Sequence, residues 1–338
     1  MTSLAPYDAV LVASYGGPDG PDAVLPFLRN ATAGRGIPDA RLAEVGAHYA
    51  LFGGVSPIND RNAELVEALA AELAARGVRL PVVVGNRNWR PYVADALVEL
   101  ADGGAKRVLA VFTSAYGSSS GCRQYREDIE RALAATGLDL VVDTVTPYAE
   151  SAGFLAANAE ALGEAWGAAG DGVRVLFVTH SIPLGMDAAS GPGPEGLRYA
   201  ATHRRVAGEV ARLAGFDGDW ELVFCSRSGP PQVPWLAPDV NDRIRELAAS
   251  GVTDVVVAPI GFVNDHMEVV YDLDTEAAAT ASEVGVRLVR AATAGVRPAF
   301  VSGLVDALAA RAARTRGEAS DPEGRCGDGC CGTGRPRT

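Results

Sequence analysis

The sequence predicts an α/β protein with two similar domains facing each other across a cleft, each a four-stranded parallel sheet flanked by helices. Short β-branched runs alternate with segments whose apolar residues recur at helical spacing, and this pattern occurs twice along the chain. The runs are continuously apolar, as in parallel strands that are covered on both faces. The chain has 338 residues and is 48% hydrophobic, which is enough to build two domains.

The strands can be placed in chain order, and helical segments such as "NAELVEALAAELAARG" separate them. The predicted strands cover residues 8–14, 81–85, 107–113, 140–144, 173–180, 221–225, 254–260 and 286–290. Four of them precede Ala149 and four follow Gly172, which divides the chain into two halves. We expect a first domain at residues 1–150 and a second domain at residues 151–295. Residues 296–315 should form a terminal helix that joins the first domain, and residues 316–338 a Cys-rich tail.

The composition argues against several classes of function. The chain has 30 Lys and Arg against 42 Asp and Glu, a net charge of -12, and it lacks the long basic run of a nucleic-acid-binding protein. No stretch approaches the roughly 18 consecutive apolar residues of a transmembrane segment. The first residues, "MTSLAPYDAVLVASYGG", contain no basic region of the kind that begins a secretory signal. We expect a soluble, cytoplasmic protein.

Polar segments follow the carboxyl ends of several predicted strands, where open parallel sheets bind ligands. They are "SYGGP", "TSAYGSSSGCRQY", "THSIP", "CSRSGPPQVPW" and "GFVNDHMEVVYD". The turn "GGPDG" matches no common nucleotide-binding pattern, and His180 beside Ser181 lacks the nucleophile elbow of serine hydrolases. Two other histidines, His48 and His203, lie in charged, helix-like segments and are expected to be solvated, while Cys225 is expected to be a small buried hydrophobe.

A series of carboxylates begins after the seventh predicted strand. From Asn264 onward the pattern becomes helical, so Glu268, Asp272 and Glu276 recur at i, i+4 and i+8 on one helix face. Like charges at this spacing repel each other, and a divalent cation would offset that cost. From the end of the fifth strand, His180 is placed to add an imidazole ligand. The alternative is an ordinary solvated acidic face, but the position at the predicted cleft favours a metal track.

Three segments, "VTHSIP", "SRSGPPQVPWLAPDV" and "GFVNDHMEVVYDLD", resemble the ferrochelatase family in their order and separation, within a match over roughly residues 6–315. The resemblance implies two Rossmann-like domains with a porphyrin cleft between them, the type II chelatase fold. It also implies an enzyme that inserts Fe²⁺ into a porphyrin. His180 and Glu268 correspond to the catalytic pair of the family, which binds iron or takes up pyrrole protons, with Asp272 and Glu276 as outer steps of an iron track.

The resemblance also implies which residues bind the porphyrin. The segment "HYALFGGVSP" corresponds to a porphyrin-contacting loop and points to Tyr49 and Ser56, and "GCRQYRED" points to Tyr125. Hydroxyl groups of this kind hold propionates by charge-assisted hydrogen bonds. Tyr15 in "ASYGGP" resembles the tyrosine of the coproporphyrin III enzymes of Gram-positive bacteria. We therefore expect coproporphyrin III as substrate and Fe-coproporphyrin III (coprohaem) as product, with protoporphyrin IX as the alternative substrate.

The cysteines are unevenly distributed, since Cys326, Cys330 and Cys331 all lie within the last 13 residues. Three thiols in a Gly-rich tail indicate metal or cluster ligation, and the alternative is a disordered tail whose thiols have no role. The resemblance implies a 2Fe-2S cluster held by Cys122 and these three residues, which leaves Cys225 as the spare cysteine.

Two rival functions remain open. A non-catalytic porphyrin or haem carrier would keep the cleft but would not need the carboxylates behind His180. A cobalt or nickel chelatase for a corrinoid-type ring would share the fold but would be expected to lack "GFVNDHMEVVYDLD" in this form. The resemblance further implies transient contact with the next enzyme of haem biosynthesis.

Overall fold

A computed structural model describes residues 2–170, 172–191, 198–229, 232–320 and 330–333. Its strands are β1 (Ala9–Ser14), β2 (Val82–Asn86), β3 (Arg107–Phe112), β4 (Val141–Thr144), β5 (Arg174–His180), β6 (Trp220–Cys225), β7 (Asp254–Ala258) and β8 (Arg287–Arg290). They form two four-stranded sheets with the orders β2-β1-β3-β4 and β6-β5-β7-β8. All pairs of neighbouring strands are parallel. The predicted fold of two parallel sheets flanked by helices is therefore confirmed.

Helices connect the strands of both sheets. They are α1 (Pro21–Ala31), α2 (Asp39–Ala50), α3 (Ile58–Ala75), α4 (Val93–Asp102), α5 (Gln124–Thr136), α6 (Ala152–Gly167), α7 (Leu184–Ala188), α8 (Tyr199–Ala214), α9 (Val240–Ala249), α10 (Met267–Val270), α11 (Ala278–Glu283) and α12 (Pro298–Thr315). Two further segments, Ser119–Arg123 and Asp272–Ala277, are π-helical. Within the described part of the chain, none of these helices has both the length and the apolar character needed to cross a membrane.

The strand order determines where ligands can approach. In each sheet the first strand in sequence pairs with the second on one side and the third on the other, so the chain changes direction between β1 and β3 and between β5 and β7. Ligands of open parallel sheets bind beyond the carboxyl ends of the strands at such switch points. Every residue of β1 is buried, and β5 is buried from Val175 to Thr179, with His180 at the point where the chain leaves the sheet. His180 therefore lies at the switch point of the second sheet.

The terminal helix α12 packs on helices that flank both sheets. Against α6, Gly153 approaches α12 so closely that a Cβ there would lie 2.7 Å from the Cα of Gly303. Glycine at both positions is what allows this contact. Arg76, which follows α3, forms an ion pair with Asp306 at 2.5 Å. Contacts of α12 thus reach the helices that follow β1 and β4.

Candidate active site

The side chains of His180 and Glu268 meet beyond the carboxyl end of β5. His180 is the last residue of β5, and Glu268 lies in the first turn of α10; the distance from His180 Nε2 to Glu268 Oε1 is 3.2 Å. The other ring nitrogen of His180, Nδ1, contacts the carbonyl oxygen of Ser181. The exposed fractions of the two side chains are 28% and 45%, so both can be reached by a ligand. The predicted partners are therefore brought into direct contact.

The electrostatics of this pair depend on two opposing effects. Burial by itself disfavours the charged imidazole, but the Glu268 carboxylate and the Ser181 carbonyl outweigh it and raise the pKa of His180 to about 9. Burial likewise disfavours the carboxylate, but the nearby His180 outweighs it and lowers the pKa of Glu268 to about 2. Near neutral pH the metal-free protein therefore holds an imidazolium next to a carboxylate. Such a pair can exchange its proton for a metal cation.

His266 caps the helix that carries Glu268, a role not expected from the sequence. Its Nδ1 accepts a hydrogen bond from the backbone N–H of Glu268 at 3.1 Å. An accepting nitrogen carries no proton, so the ring is in its Nε2–H form. Burial lowers the pKa of His266, which keeps the ring neutral. The available signal was a polar residue directly before a helical segment.

The helix that carries the carboxylate series differs from the prediction. It begins at Met267 and not at Asn264, and Asp272–Ala277 is π-helical, with the N–H of Glu276 bonded to the carbonyl of Tyr271 at 2.9 Å. A π-helical turn contains more residues than an α-helical turn, so the assumption of a regular α-helical face was wrong. Short π-helical segments inside helices are frequent at functional sites.

Asp272 lies between the other two carboxylates in this series. It is half-buried, and the hydroxyl of Ser226 donates a hydrogen bond to its Oδ2. Burial and the charges of Glu268 and Glu276 raise the pKa of Asp272 to about 7. Glu276 is exposed at the outer end. The series thus extends from the His180–Glu268 pair toward solvent.

Ser226, directly after β6, has a backbone conformation that is rare for a residue with a side chain. Its φ is 61°, in the left-handed region, and its side chain bonds to Asp272. Strained residues of this kind concentrate at functional sites. Nothing in "CSRSG" distinguishes Ser226 from Ser228, because the difference lies in the backbone conformation. The neighbouring Cys225 is buried, as predicted.

An aromatic group from the first half of the chain lies near the same carboxylates. Tyr15 follows β1 and remains 40% exposed, and its ring contacts Phe27 edge-on at a centroid distance of 6.2 Å. On the other side of Phe27, Tyr49 packs at 5.9 Å and is buried. Burial and then the charge of Glu268 raise the pKa of Tyr15 to about 12 and also raise the pKa of Tyr49. Both hydroxyls are therefore protonated and close enough to Glu268 to be influenced by it.

The other two predicted porphyrin-binding residues occupy different surroundings. Ser56 is buried against the turn after β1, where a Cβ on Gly17 would lie 2.5 Å from the Cβ of Ser56. Tyr125 is buried in the first turn of α5, with its ring stacked on Phe112 at 5.0 Å and the guanidinium of Arg87 4.7 Å from the ring centroid. Arg87 thus accompanies Tyr125, and no motif in the sequence marks this arginine.

Three of the four predicted cluster cysteines can be located. The sulfur of Cys331 lies 3.9 Å from that of Cys122 and 3.4 Å from that of Cys330, and the N–H of Gly191 donates to Cys331 Sγ at 3.4 Å. Cys326 lies outside the described residues. Within residues 2–170, 172–191, 198–229, 232–320 and 330–333, no set of three or more His, Cys, Asp and Glu side chains has an arrangement that could hold a metal ion.

Two histidines that were expected to be solvated are packed against tyrosines. His203 is fully buried with an exposed fraction of 0%, and its ring stacks on Tyr116 at a centroid distance of 3.4 Å. His48 stacks on Tyr271 at 3.8 Å. The expectation for His203 was wrong, because charged neighbours along the sequence do not reveal a ring that arrives from another element, whereas His48 is half-buried and keeps part of its surface in solvent.

Comparison with known proteins relates the whole chain to one family. A family model described as Ferrochelatase matches residues 7–312. A coproporphyrin III ferrochelatase from Streptomyces coelicolor is 47% identical over 363 aligned residues, which cover 100% of this chain and 96% of the relative. A coproporphyrin III ferrochelatase from Leifsonia xyli subsp. xyli is 49% identical over 332 residues, with 92% and 85% covered.

A solved structure supports the fold alone. SirB from Bacillus subtilis with Fe³⁺ superposes with a TM-score of 0.51 at 13% sequence identity, covering 92% of this chain and 97% of the other. This likeness of fold agrees with the predicted type II chelatase fold.

Proposed function

This chain belongs to the ferrochelatase family, and from that premise we propose that it inserts Fe²⁺ into coproporphyrin III to form coprohaem in haem biosynthesis. The observation that carries the proposal is the His180–Glu268 pair, with Nε2 3.2 Å from Oε1 at the switch point of the second sheet. The names of the relatives from S. coelicolor and L. xyli support the choice of substrate.

The reaction exchanges protons for a metal ion. The free porphyrin carries two pyrrole N–H protons, both are released, and Fe²⁺ takes their place with no change in oxidation state. A group that alternates between binding a proton and binding a cation suits this exchange, and a histidine has the required basicity. We assign this task to His180. Glu268 would hold the imidazolium before iron arrives and neutralise the dication afterwards.

We propose that Asp272 and Glu276 form the outer steps of the iron path. Support comes from the raised pKa of Asp272, about 7, which arises from burial and from the charges of its two neighbours. A carboxyl group with this pKa can release its proton when a cation approaches. Carboxylate oxygens are suitable ligands for hard divalent ions and allow partial hydration.

We propose that four hydroxyl-bearing residues of the first half bind the porphyrin, namely Tyr15, Tyr49, Ser56 and Tyr125. Tyr15 is the exposed member of this set and is close enough to Glu268 for that charge to raise its pKa. This supports a position for its hydroxyl facing the metal of the product. Four propionates distinguish coproporphyrin from protoporphyrin, which has two, so polar contacts around the ring would decide between them.

We also propose a 2Fe-2S cluster on Cys122, Cys326, Cys330 and Cys331. Sulfur separations of 3.4 and 3.9 Å among three of these residues are compatible with thiolates that surround one cluster. The N–H of Gly191 donates to Cys331 Sγ, a contact that stabilises a thiolate ligand. Bound there, the cluster would supply a covalent link between the tail and the first domain, with no redox step in the insertion of Fe²⁺.

We propose domain boundaries, a cellular location and a partner for this enzyme as well. We divide the chain at residues 1–150 and 151–295, with residues 296–315 joined to the first domain and residues 316–338 as the tail. We expect the enzyme in the cytoplasm, because ferrous iron and thiolate ligands both need a reducing compartment. Transient contact with the next enzyme of the pathway would protect the product from solvent.

The direct test is to incubate the purified protein without oxygen with Fe²⁺ and coproporphyrin III and to follow the Soret and Q bands. The proposal requires metallation that is faster with coproporphyrin III than with protoporphyrin IX. Binding without metallation would indicate a porphyrin carrier. Metallation of a corrinoid-type ring by Co²⁺ or Ni²⁺ without reaction of coproporphyrin III would indicate a different chelatase.

A further inference from the structure

A buried chain of hydrogen bonds lies directly behind His180. Thr179, with an exposed fraction of 0%, contacts Tyr199 through its hydroxyl at 2.6 Å and His203 Nε2 at 2.9 Å. The hydroxyl of Tyr199 also lies 3.1 Å from the carbonyl oxygen of His180. Successive side chains of a strand point to opposite faces, so Thr179 faces α8 while the ring of His180 faces the ligand side. The chain therefore holds the backbone of the catalytic strand end from the rear.

The available protons fix the direction of each bond. His203 Nδ1 lies 2.8 Å from the carbonyl oxygen of Tyr199, which can only accept, so Nδ1 carries the proton. Burial lowers the pKa of His203 to about 3, so the ring is neutral and Nε2 is an acceptor. The hydroxyl of Thr179 must therefore donate to Nε2. Its oxygen then accepts from Tyr199, whose single proton is shared between Thr179 Oγ1 and the His180 carbonyl.

Thr179 also limits the position of the segment that leads from β7 to Glu268. Gly261 follows β7 and packs so tightly on Thr179 that a Cβ there would overlap the threonine side chain. The hydroxyl of Tyr116, whose ring stacks on His203, donates to the carbonyl of Ile260 at 3.0 Å. Thr179 therefore lies at the end of β5 and contacts the segment after β7, and His203 reaches that segment through Tyr116. His180 ends β5, and Glu268 follows β7.

We propose that Thr179, Tyr199 and His203 act as one positioning unit that sets the distance between His180 and Glu268. The inference rests on the proposed function, since it concerns the geometry needed for metal insertion. None of the three side chains needs to touch iron or porphyrin. Loss of one hydrogen bond would let the strand end shift, and small misplacements of reacting groups lower the rate without weakening substrate binding.

The test compares Thr179→Val, which removes the hydroxyl and keeps the shape, with Thr179→Ser, which keeps the hydroxyl. We expect Thr179→Val and Tyr199→Phe each to lower kcat for iron insertion by about tenfold or more, with the KM for porphyrin unchanged. Thr179→Ser should retain most of the activity. The double variant should be no slower than the slower single variant, because residues that act as one unit are not additive.

Two control variants separate positioning from general stability. Tyr7→Phe removes a buried hydroxyl that contacts Thr315 and Asp143, and Thr280→Val removes one that bonds to Asn241. Both should lower the melting temperature without changing kcat. If Thr179→Val and Tyr199→Phe behave like these controls, or if the double variant shows the product of the single losses, the positioning unit is refuted.

The positioning unit can still be tested if Thr179→Val does not fold. His203→Phe keeps a ring to stack on Tyr116 and removes both nitrogens, so it must lower kcat even if Thr179→Val does not fold. The ratio of variant to wild-type rate tests the inference, whereas the absence of metallation by the wild type would refute the proposed function instead. Normal kcat in His203→Phe would overturn the inference alone.

Discussion

His180 and Glu268 form a pair whose nearest atoms are 3.2 Å apart and in which each residue stabilises the charge of the other. The pKa of His180 is raised from 6.5 to about 9, so its contribution to stability is complete below pH 6.5 and is lost as the pH rises through 9. The pKa of Glu268 is lowered from 4.5 to about 2, so its contribution is complete above pH 4.5 and is lost as the pH falls through 2. In the folded protein the pair is therefore charged between about pH 2 and 9, and both contributions to stability are complete between about pH 4.5 and 6.5.

Removal of the Glu268 charge should lower the pKa of His180, because that charge is the main effect opposing burial. Ring NMR of the metal-free protein should give a midpoint for His180 near 9 in the wild type and a lower one in Glu268→Gln. Glu276→Gln, a carboxylate farther along the same helix, is the matched control and should have little effect. Equal midpoints in the wild type and Glu268→Gln would show that the pair is not coupled.

Loss of the outer carboxylates should weaken capture of iron more than binding of porphyrin. We expect Asp272→Ala and Glu276→Ala each to raise the KM for Fe²⁺ by roughly two- to fivefold, the size of a partly exposed charge interaction. The control is Asp274→Ala, since Asp274 lies in the same π-helical turn but pairs with Arg290 at 2.7 Å. Equal changes in KM for Fe²⁺ and for porphyrin would favour the alternative, in which these carboxylates form an ordinary solvated helix face and not an iron path.

Tyr15 should affect the product more than the rate. Replacement by methionine, Tyr15→Met, is expected to leave metal insertion largely intact and to change the absorption spectrum of bound ferric coproporphyrin, because the phenol would no longer face the iron. Tyr7→Phe, on a buried tyrosine that bonds to Thr315, should leave that spectrum unchanged. An identical spectrum in Tyr15→Met and the wild type would place Tyr15 away from the metal.

The tail should carry iron and sulfide that do not come from the substrate. Protein purified without oxygen is expected to be red-brown, with roughly two irons and two sulfides per chain as a 2Fe-2S centre requires. Cys122→Ser should remove the colour, whereas Cys225→Ser should not, because Cys225 is buried on β6 opposite His180 in the second sheet. Colourless anaerobic protein, or a colour that survives in Cys122→Ser, would mean that the tail thiols hold no cluster.

The strands, and the placement of His180 near the carboxylate series, could be predicted because both depend on local patterns, while the specific pairing of His180 with Glu268 was implied by the family resemblance. Continuous apolar runs mark buried parallel strands, and residues at the carboxyl ends of strands in one parallel sheet emerge at the same edge. The predicted strand from 254 to 260 ends at Ala258 in the structure, but this does not change where the following segment lies.

The features that escaped prediction depend on contacts between distant elements. Burial of His203 requires Tyr116, which comes from the loop after β3, and nothing in the charged sequence around His203 indicates that ring. The π-helical turn at Asp272–Ala277 cannot be read from the spacing of apolar residues. It adds one residue to a single turn, and the α-helical spacing resumes after it. The positive φ of Ser226 is likewise invisible, since serine normally avoids that region.

The most direct test of the central claim is the rate at which His180→Ala inserts Fe²⁺ into coproporphyrin III without oxygen, measured beside porphyrin binding by fluorescence quenching. We expect the initial rate to fall by at least about a hundredfold, the usual contribution of a positioned acid–base group, while the affinity for the porphyrin stays within about twofold of the wild type. A variant that metallates coproporphyrin III at close to the wild-type rate would contradict the account, because iron insertion would then not need the His180–Glu268 pair.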